Sequence, residues 1–142
     1  MMEISQTGIN LIKSYESCKL TAYQDGGGVW TIGYGHTGDD VHPGDVIDQD
    51  RANDLLVYDI KAAQDCIDAH VEAELSQGQY DALCSFVFNL GCHAFKTSTM
   101  CNLINAGNYQ AARKQFARWN HDNGVVVEGL TARRTAEAEM FA

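Results

Sequence analysis

The sequence predicts an α+β fold, mainly α-helical, with a small N-terminal β-hairpin lobe joined by a long helix to a larger helical lobe. Three observations carry that expectation. Apolar residues recur at helical spacing along most of the chain, and proline occurs once, at Pro43. Helix-start signals at Asp48 and at Ser76 are each followed by an amphipathic run. One stretch near the N-terminus changes instead to strand-type residues around three consecutive glycines, Gly26 to Gly28. At 142 residues the chain is expected to form one domain, residues 1–142. Within it the hairpin lobe covers about 17–47, and the helical lobe covers about 71–142 and takes in the N-terminal helix.

Ser5 is placed to cap a first helix, with Ile9, Ile12 and Tyr15 at helical spacing and Leu11 beside them. That helix ends near Glu16. Leu20 and Ala22, then Val29, Thr31, Ile32 and Tyr34, supply strands on either side of a turn from Asp25 to Gly28. An irregular acidic loop follows through Pro43 and Gly44. Asp48 caps a long helix in which Ala52, Leu55, Leu56, Ile60, Ala63 and Ile67 form one apolar stripe, with Asp54, Asp65 and Asp68 away from it. Ser76 and Gln79 make a capping-box pair before Tyr80, Leu83, Phe86, Val87 and Leu90. Gly91 stands where a left-handed stop is expected. Thr99 to Asn105 is a short helix, and Asn108 caps another with Tyr109, Ala112, Phe116 and Trp119 inward. His121 to Gly129 is a polar loop, and Thr131 to Phe141 is the last helix.

Composition narrows the function classes. No apolar run approaches the roughly 18 residues needed to cross a bilayer, so no transmembrane segment is expected. The stretch Met-Met-Glu-Ile-Ser-Gln-Thr-Gly lacks the basic and apolar regions of a signal peptide. The five cysteines, Cys18, Cys66, Cys84, Cys92 and Cys101, are odd in number and show no C-x-x-C spacing. Buried free thiols suited to a reducing cytoplasm are therefore expected rather than a disulfide framework, and neither zinc nor a cofactor is expected. The net charge of −9 is uneven: twelve acids lie between Asp39 and Asp81, while six bases lie between Lys96 and Arg134. That pattern reads as a solvated acidic face, or as a dipole turning a basic wall towards an anionic polymer. The bases lack the density and aromatic interleaving of a nucleic-acid surface, which excludes that class of partner.

Chemistry concentrates between Glu16 and His36. A carboxyl at a helix end, Glu16, faces a second carboxyl, Asp25, and a hydroxyl, Thr31, both carried by a hairpin. Two carboxyls across a cleft can serve as general acid and water-activating base at one glycosidic bond. Taken singly, Asp25 is a common turn former and Thr31 a common strand residue. The separation Glu-x8-Asp-x5-Thr, followed by Thr31-Ile-Gly-Tyr-Gly-His36, resembles the phage-type lysozyme (endolysin muramidase) family, similar to glycoside hydrolase family 24. The likeness continues through Gln79-Tyr-Asp-Ala-Leu-Cys-Ser-Phe-Val-Phe-Asn89-Leu-Gly91, Phe95-Lys-Thr-Ser-Thr99, Trp119 and Gly129-Leu-Thr-Ala-Arg-Arg-Thr-Ala-Glu137.

The resemblance implies a two-lobed lysozyme-like enzyme that hydrolyses the β-1,4 bond between N-acetylmuramic acid and N-acetylglucosamine in peptidoglycan. Made in the host cytoplasm, it would act as a monomer on glycan strands in the periplasm. Carried over by position, Glu16 is the acid, and Asp25 with Thr31 orients the attacking water. Thr37, Phe88, Asn89, Thr99 and Gln115 lie at positions similar to sugar contacts of the family, although core packing suits Phe88 equally. His36 is expected to be a structural hydrogen-bonding residue. Arg133 and Arg134 include the cation that the family places beside the catalytic glutamate, and the sequence leaves open which one. The family is often basic and this chain is acidic, which leaves the strength of wall binding open. Two rivals stand beside hydrolysis: a binding or scaffold module of the same fold, and a transglycosylase, which needs no water-positioning pair.

Overall fold

The structure is a computed structural model and describes residues 2–142. Its fold is the expected one: α-helices predominate and the strands are short and antiparallel. The chain divides into two compact units, Asn10–Lys61 and the N-terminal residues through Ile9 together with Ala62–Ala142. No helix among the described residues is long and apolar enough to cross a membrane.

The first helix, α1, covers Gln6–Tyr15. Ser5 caps it as expected, its hydroxyl accepting from the Gly8 N–H at 3.4 Å. The same hydroxyl donates to the Asp81 carboxylate, and the Ser5 N–H donates to Asp81 Oδ1 at 2.9 Å. Gly8 permits this approach, since a Cβ there would sit 2.7 Å from Asp81 Cγ.

In the unit Asn10–Lys61, β1 (Lys19–Gln24), β2 (Trp30–Gly33) and β3 (His36–Thr37) form an antiparallel sheet in the order β1-β2-β3. Tyr23 pairs with Thr31 and Gln24 with Trp30, while Thr31 pairs with Thr37 and Ile32 with His36. The two-residue β3 has no periodicity to announce it, and Tyr34, expected in a strand, lies in the turn before it. The acidic loop returns beside β1, where the Ala22 N–H donates to the Asp45 carbonyl and the Ile47 N–H to that of Leu20. Ile32, Val41 and Leu55 form a small core, with Ala22, Trp30 and Ile47 packed on it.

The long helix α2 covers Gln49–His70, and Asp48 caps it by accepting from the Arg51 N–H at 2.8 Å. All six residues of the expected stripe are buried. In the second unit, α3 (Gln77–Leu90) begins with a complete capping box of Ser76 and Gln79 and ends at Gly91, φ +90°. Buried from Tyr80 to Val87, α3 lies at the centre of this unit. Phe86 meets Phe95, Phe116 and Trp119 edge-on, with ring centroids 5.5–6.3 Å apart. Around it stand α4 (Cys92–Lys96), α5 (Thr99–Asn105), α6 (Tyr109–Gln115) with a 3-10 turn at Phe116–Arg118, and α7 (Glu128–Phe141). The segment expected as a polar loop holds a small hairpin, β4 (His121–Asp122) and β5 (Val125–Val126). The last helix starts three residues earlier than expected, at Glu128.

The cysteine expectation needs correction. Cys66 and Cys92 are joined by a disulfide, while Cys84 and Cys101 are buried free thiols and Cys18 is a half-buried one. The reason is tertiary. Gly91 ends α3 at φ +90° and ψ 161°, an extended positive-φ conformation rather than the expected left-handed helical one. Helix α4 then brings its first residue, Cys92, back to Cys66 on α2, a path that spacing along the chain does not reveal. Closing a loop of 26 residues stabilises the fold by about 3.5 kcal/mol in the chain-entropy account. Burial pushes the remaining thiols Cys84 and Cys101 up from their ordinary values.

Candidate active site

Helix α1 delivers Glu16 at its C-terminal end, where the Glu16 N–H still donates to the Ile12 carbonyl at 3.1 Å and the side chain is half-buried. The chain then turns directly into β1. Asp25 follows that strand and builds the turn itself. Its Oδ1 accepts from the Gly27 N–H at 2.8 Å and the Val29 N–H at 2.9 Å. The Asp25 N–H donates to the Val29 carbonyl, and the Gly28 N–H donates to the Asp25 carbonyl. Three glycines alone suggest a loose turn. Here their freedom lets the backbone wrap around one carboxylate oxygen, with Gly28 at φ +79°.

Thr31 occupies the central strand and is buried, and its hydroxyl donates to the Val29 carbonyl at 2.9 Å. With its proton so committed, the Thr31 oxygen faces any further partner as an acceptor. Thr37 lies directly opposite on β3 and is exposed. Asp25 and Thr31 are thus linked through one residue: Val29 donates its N–H to the carboxylate and accepts the hydroxyl.

His36 is held between two carboxylates. Its Nδ1 lies 2.8 Å from Asp59 on α2 and its Nε2 lies 3.0 Å from Asp40. Both ring nitrogens therefore donate, which requires the imidazolium. Burial alone would lower the imidazole pKa from its ordinary 6.5, but the hydrogen bonds and charges of Asp59 and Asp40 outweigh it and raise it. The His36 bond in turn holds the Asp40 carboxyl below its ordinary value.

A pH dependence follows, with a definite sign. The raised pKa makes the His36 contribution complete below about pH 6.5 and lost as pH rises through the folded-state value. The lowered pKa of Asp40 makes its contribution present above about pH 4 and lost as pH falls through the folded-state value. His36→Asn is expected to cost about 1.5–3 kcal/mol near pH 6 in urea unfolding, the worth of hydrogen bonds to a charged group. The gap should shrink as pH rises. A gap that stays flat to about pH 9 would mean that the imidazole is not charged in the fold.

In the second unit, Thr99 and Gln115 line one hollow of about 340 Å³ with Thr97, Ser98, Arg118 and Trp119. Thr99 is exposed and Gln115 half-buried. Phe88 is half-buried and packs against the core, and neither it nor Asn89 lines that hollow. Asn89 Oδ1 accepts from Arg134 Nη2 at 2.6 Å. Arg133 and Arg134 are both buried and share the fully buried Glu137. Ser85 completes the group, donating to Glu137 Oε2 at 2.5 Å and accepting from Arg133 Nε at 3.3 Å. The partners Ser85 and Glu137 went unremarked as site residues, although Arg133 and Glu137 stand four apart on one helix. Arg118 carried no local signal.

The family model described as phage lysozyme matches residues 13–137 of this chain. That span takes in Glu16, Asp25, Thr31 and the Arg133–Glu137 group. The chain belongs to the phage lysozyme family. It is 44% identical to the endolysin of Bacillus phage B103 over 142 residues, 99% of this chain but 54% of that protein. The chain thus spans about half the length of that relative. Among solved structures it is similar to the muramidase domain of SpmX from Asticaccaulis excentricus, with a TM-score of 0.93 at 34% identity, covering 99% of this chain and 98% of that one. A point variant of P22 lysozyme gives a TM-score of 0.90 at 38% identity, covering 99% of each chain. In this phage lysozyme the matched residues 13–137 take in both the aromatic cluster around Phe86 and the short sheet carrying Thr31.

Proposed function

We propose that this chain is a muramidase, a glycoside hydrolase that cleaves the β-1,4 bond between N-acetylmuramic acid and N-acetylglucosamine in peptidoglycan with inversion. The substrate is the glycan strand of the wall, and the role is lysis of a host cell from the periplasmic side. Family membership supports the reaction class. The observation that supports water attack is the coupling of Asp25 and Thr31 through Val29, which pairs one carboxylate with one hydroxyl oxygen that can only accept.

Glu16 protonates the leaving glycosidic oxygen while Asp25 takes a proton from water. Thr31 accepts that water's second hydrogen and aims its lone pair at the anomeric carbon. The C–O bond to the leaving sugar breaks as the water oxygen bonds from the opposite face, so the first product is the α-anomer. Inversion requires room for water, roughly 6.5–9.5 Å between the carboxyls, against about 5–5.5 Å for a carboxylate nucleophile. A transglycosylase would release an anhydro sugar and would need neither Asp25 nor Thr31.

Thr31→Glu tests the assignment. It places a nucleophile-capable carboxylate where the water sits, and the expected outcome is a trapped glycosyl-enzyme or a shift towards retention. NMR of the first anomer released, with product mass analysis, reads the result for parent and variant. If the parent releases the β-anomer first, or an anhydro product, water attack through Asp25 and Thr31 is wrong.

A further inference from the structure

We propose that Cys66, His70 and Cys92 form a zinc site once the Cys66–Cys92 disulfide is reduced. The helical unit then carries one clamp with two settings, a covalent link when oxidised and a metal link when reduced. This inference is independent of the catalytic reading, because all three residues lie in the unit containing Ala62–Ala142 and none belongs to the catalytic set.

Cys66 and His70 stand four residues apart at the end of α2, so their side chains share a face. Cys92 opens α4. One donor atom from each of the three lies within 4.8 Å of the others. The Cα atoms of the two cysteines are 5.7 Å apart, which fixes what reduction allows. Once the S–S bond is gone the sulfurs must separate to about van der Waals contact. Two thiolates on a tetrahedral zinc, each bonded at about 2.3 Å, stand roughly 3.8 Å apart, nearly the same separation. The backbone that permits the disulfide therefore permits the metal with little movement.

His70 is held in place from behind. Its carbonyl accepts from Asn105 Nδ2 at 2.8 Å and from the Cys101 thiol at 3.7 Å, which ties the end of α2 to α5. Cys66 is buried, whereas His70 and Cys92 are half-exposed. The open side gives the ion an entry path and leaves a fourth position for water. Two thiolates and an imidazole suit zinc among the available divalent ions. The spacing Cys66-x3-His70-x21-Cys92 matches no familiar zinc pattern, which is why the sequence argued against a metal.

The chemistry balances without a hidden partner. A thiol reductant supplies two electrons and two protons, is itself oxidised to a disulfide, and leaves thiols at Cys66 and Cys92. Zinc then displaces both thiol protons to solvent, and the imidazole donates a ring-nitrogen lone pair. In the reverse direction a small disulfide takes the two electrons from the two thiolates and leaves as two thiols, so the Cys66–Cys92 bond re-forms and the zinc goes to solvent. A chain made in a reducing compartment would hold zinc there, and would release it as the disulfide forms in an oxidising one.

The test uses the whole chain, reduced with a phosphine and desalted without air, beside the oxidised chain. Reduced protein is expected to retain one zinc per chain. With cobalt it should show the thiolate charge-transfer band and the visible bands of a tetrahedral site. Zinc should raise Tm of the reduced form only. Cys66→Ser/Cys92→Ser keeps Cys18, Cys84 and Cys101 and should lose the metal. His70→Ala keeps the backbone carbonyl contacts and both thiols, and should weaken zinc by at least about tenfold. The proposal is overturned if reduced protein holds no more zinc than the double serine variant. It is equally overturned if His70→Ala binds as tightly as the parent, or if the oxidised chain binds as much zinc as the reduced one.

Discussion

Glu16→Gln is expected to abolish lysis of permeabilised Gram-negative cells while leaving the fold intact. The amide has nearly the size of the carboxylic acid, but its N–H protons are far too weakly acidic to be transferred to a leaving oxygen. General acid catalysis is worth on the order of a hundredfold or more, so the residual turbidity-clearing rate should fall at least that far. Stability should change by less than about 1 kcal/mol, because Glu16 is half-buried and sits at the C-terminal end of α1, where the helix dipole disfavours a negative charge. Retention of more than about a tenth of the parent rate would remove Glu16 from the acid role. The measurement also separates hydrolysis from binding. A binding or scaffold module would associate with peptidoglycan equally well with either side chain, and no sugar would be released by the parent.

Local chemistry made much of this molecule legible from its residues. Ser5, Asp48, Ser76 and Asn108 each announced a helix start, and each does accept from a backbone N–H of its helix. The apolar stripe on α2 repeats at helical spacing, as do Tyr80, Leu83 and Val87 on α3, and all are buried. What escaped notice was short or tertiary. Strands of two residues, β3, β4 and β5, fall below any periodic signal. The five-residue α4 is likewise too short to show one, and with it went the path that pairs Cys92 with Cys66.

The candidate site divides in the same way. Glu16, Asp25 and Thr31 could be named because their spacing resembles a family pattern, and the role of Val29 as the link between two of them is visible only in three dimensions. His36 was expected to be structural, but its two partners, Asp40 and Asp59, were two acids among many in an acidic stretch. The hollow shared by Thr99 and Gln115 also takes in Arg118 and Trp119, which come together through α5, α6 and the 3-10 turn rather than through adjacency in sequence.

The buried group on α7 should produce the largest loss of stability. Glu137 is fully buried, with Arg134 Nε 2.9 Å from Oε1 and Arg133 Nε 3.4 Å from Oε2. Burial pushes its carboxyl above the ordinary carboxylate value, opposed by Arg134, the Ser85 hydroxyl and Arg133. Burial likewise lowers Arg134, whose guanidinium stacks over the Phe86 ring at 5.2 Å. Such a group adds little net stability over an apolar replacement, because desolvation offsets the attraction. Removing only one sign is different, since it strands the other. Glu137→Ala leaves two buried guanidinium groups without their shared carboxylate and opens a cavity beside Ser85. The expected cost is about 3–5 kcal/mol in urea unfolding. Glu137→Gln should cost less, because the amide oxygen still accepts from Ser85. Adding Arg134→Met to Glu137→Gln should recover part of the loss, since the second change removes one stranded charge. A cost below about 1 kcal/mol for Glu137→Ala would show that water or rearrangement reaches the guanidinium groups, and that α7 is not anchored through this network.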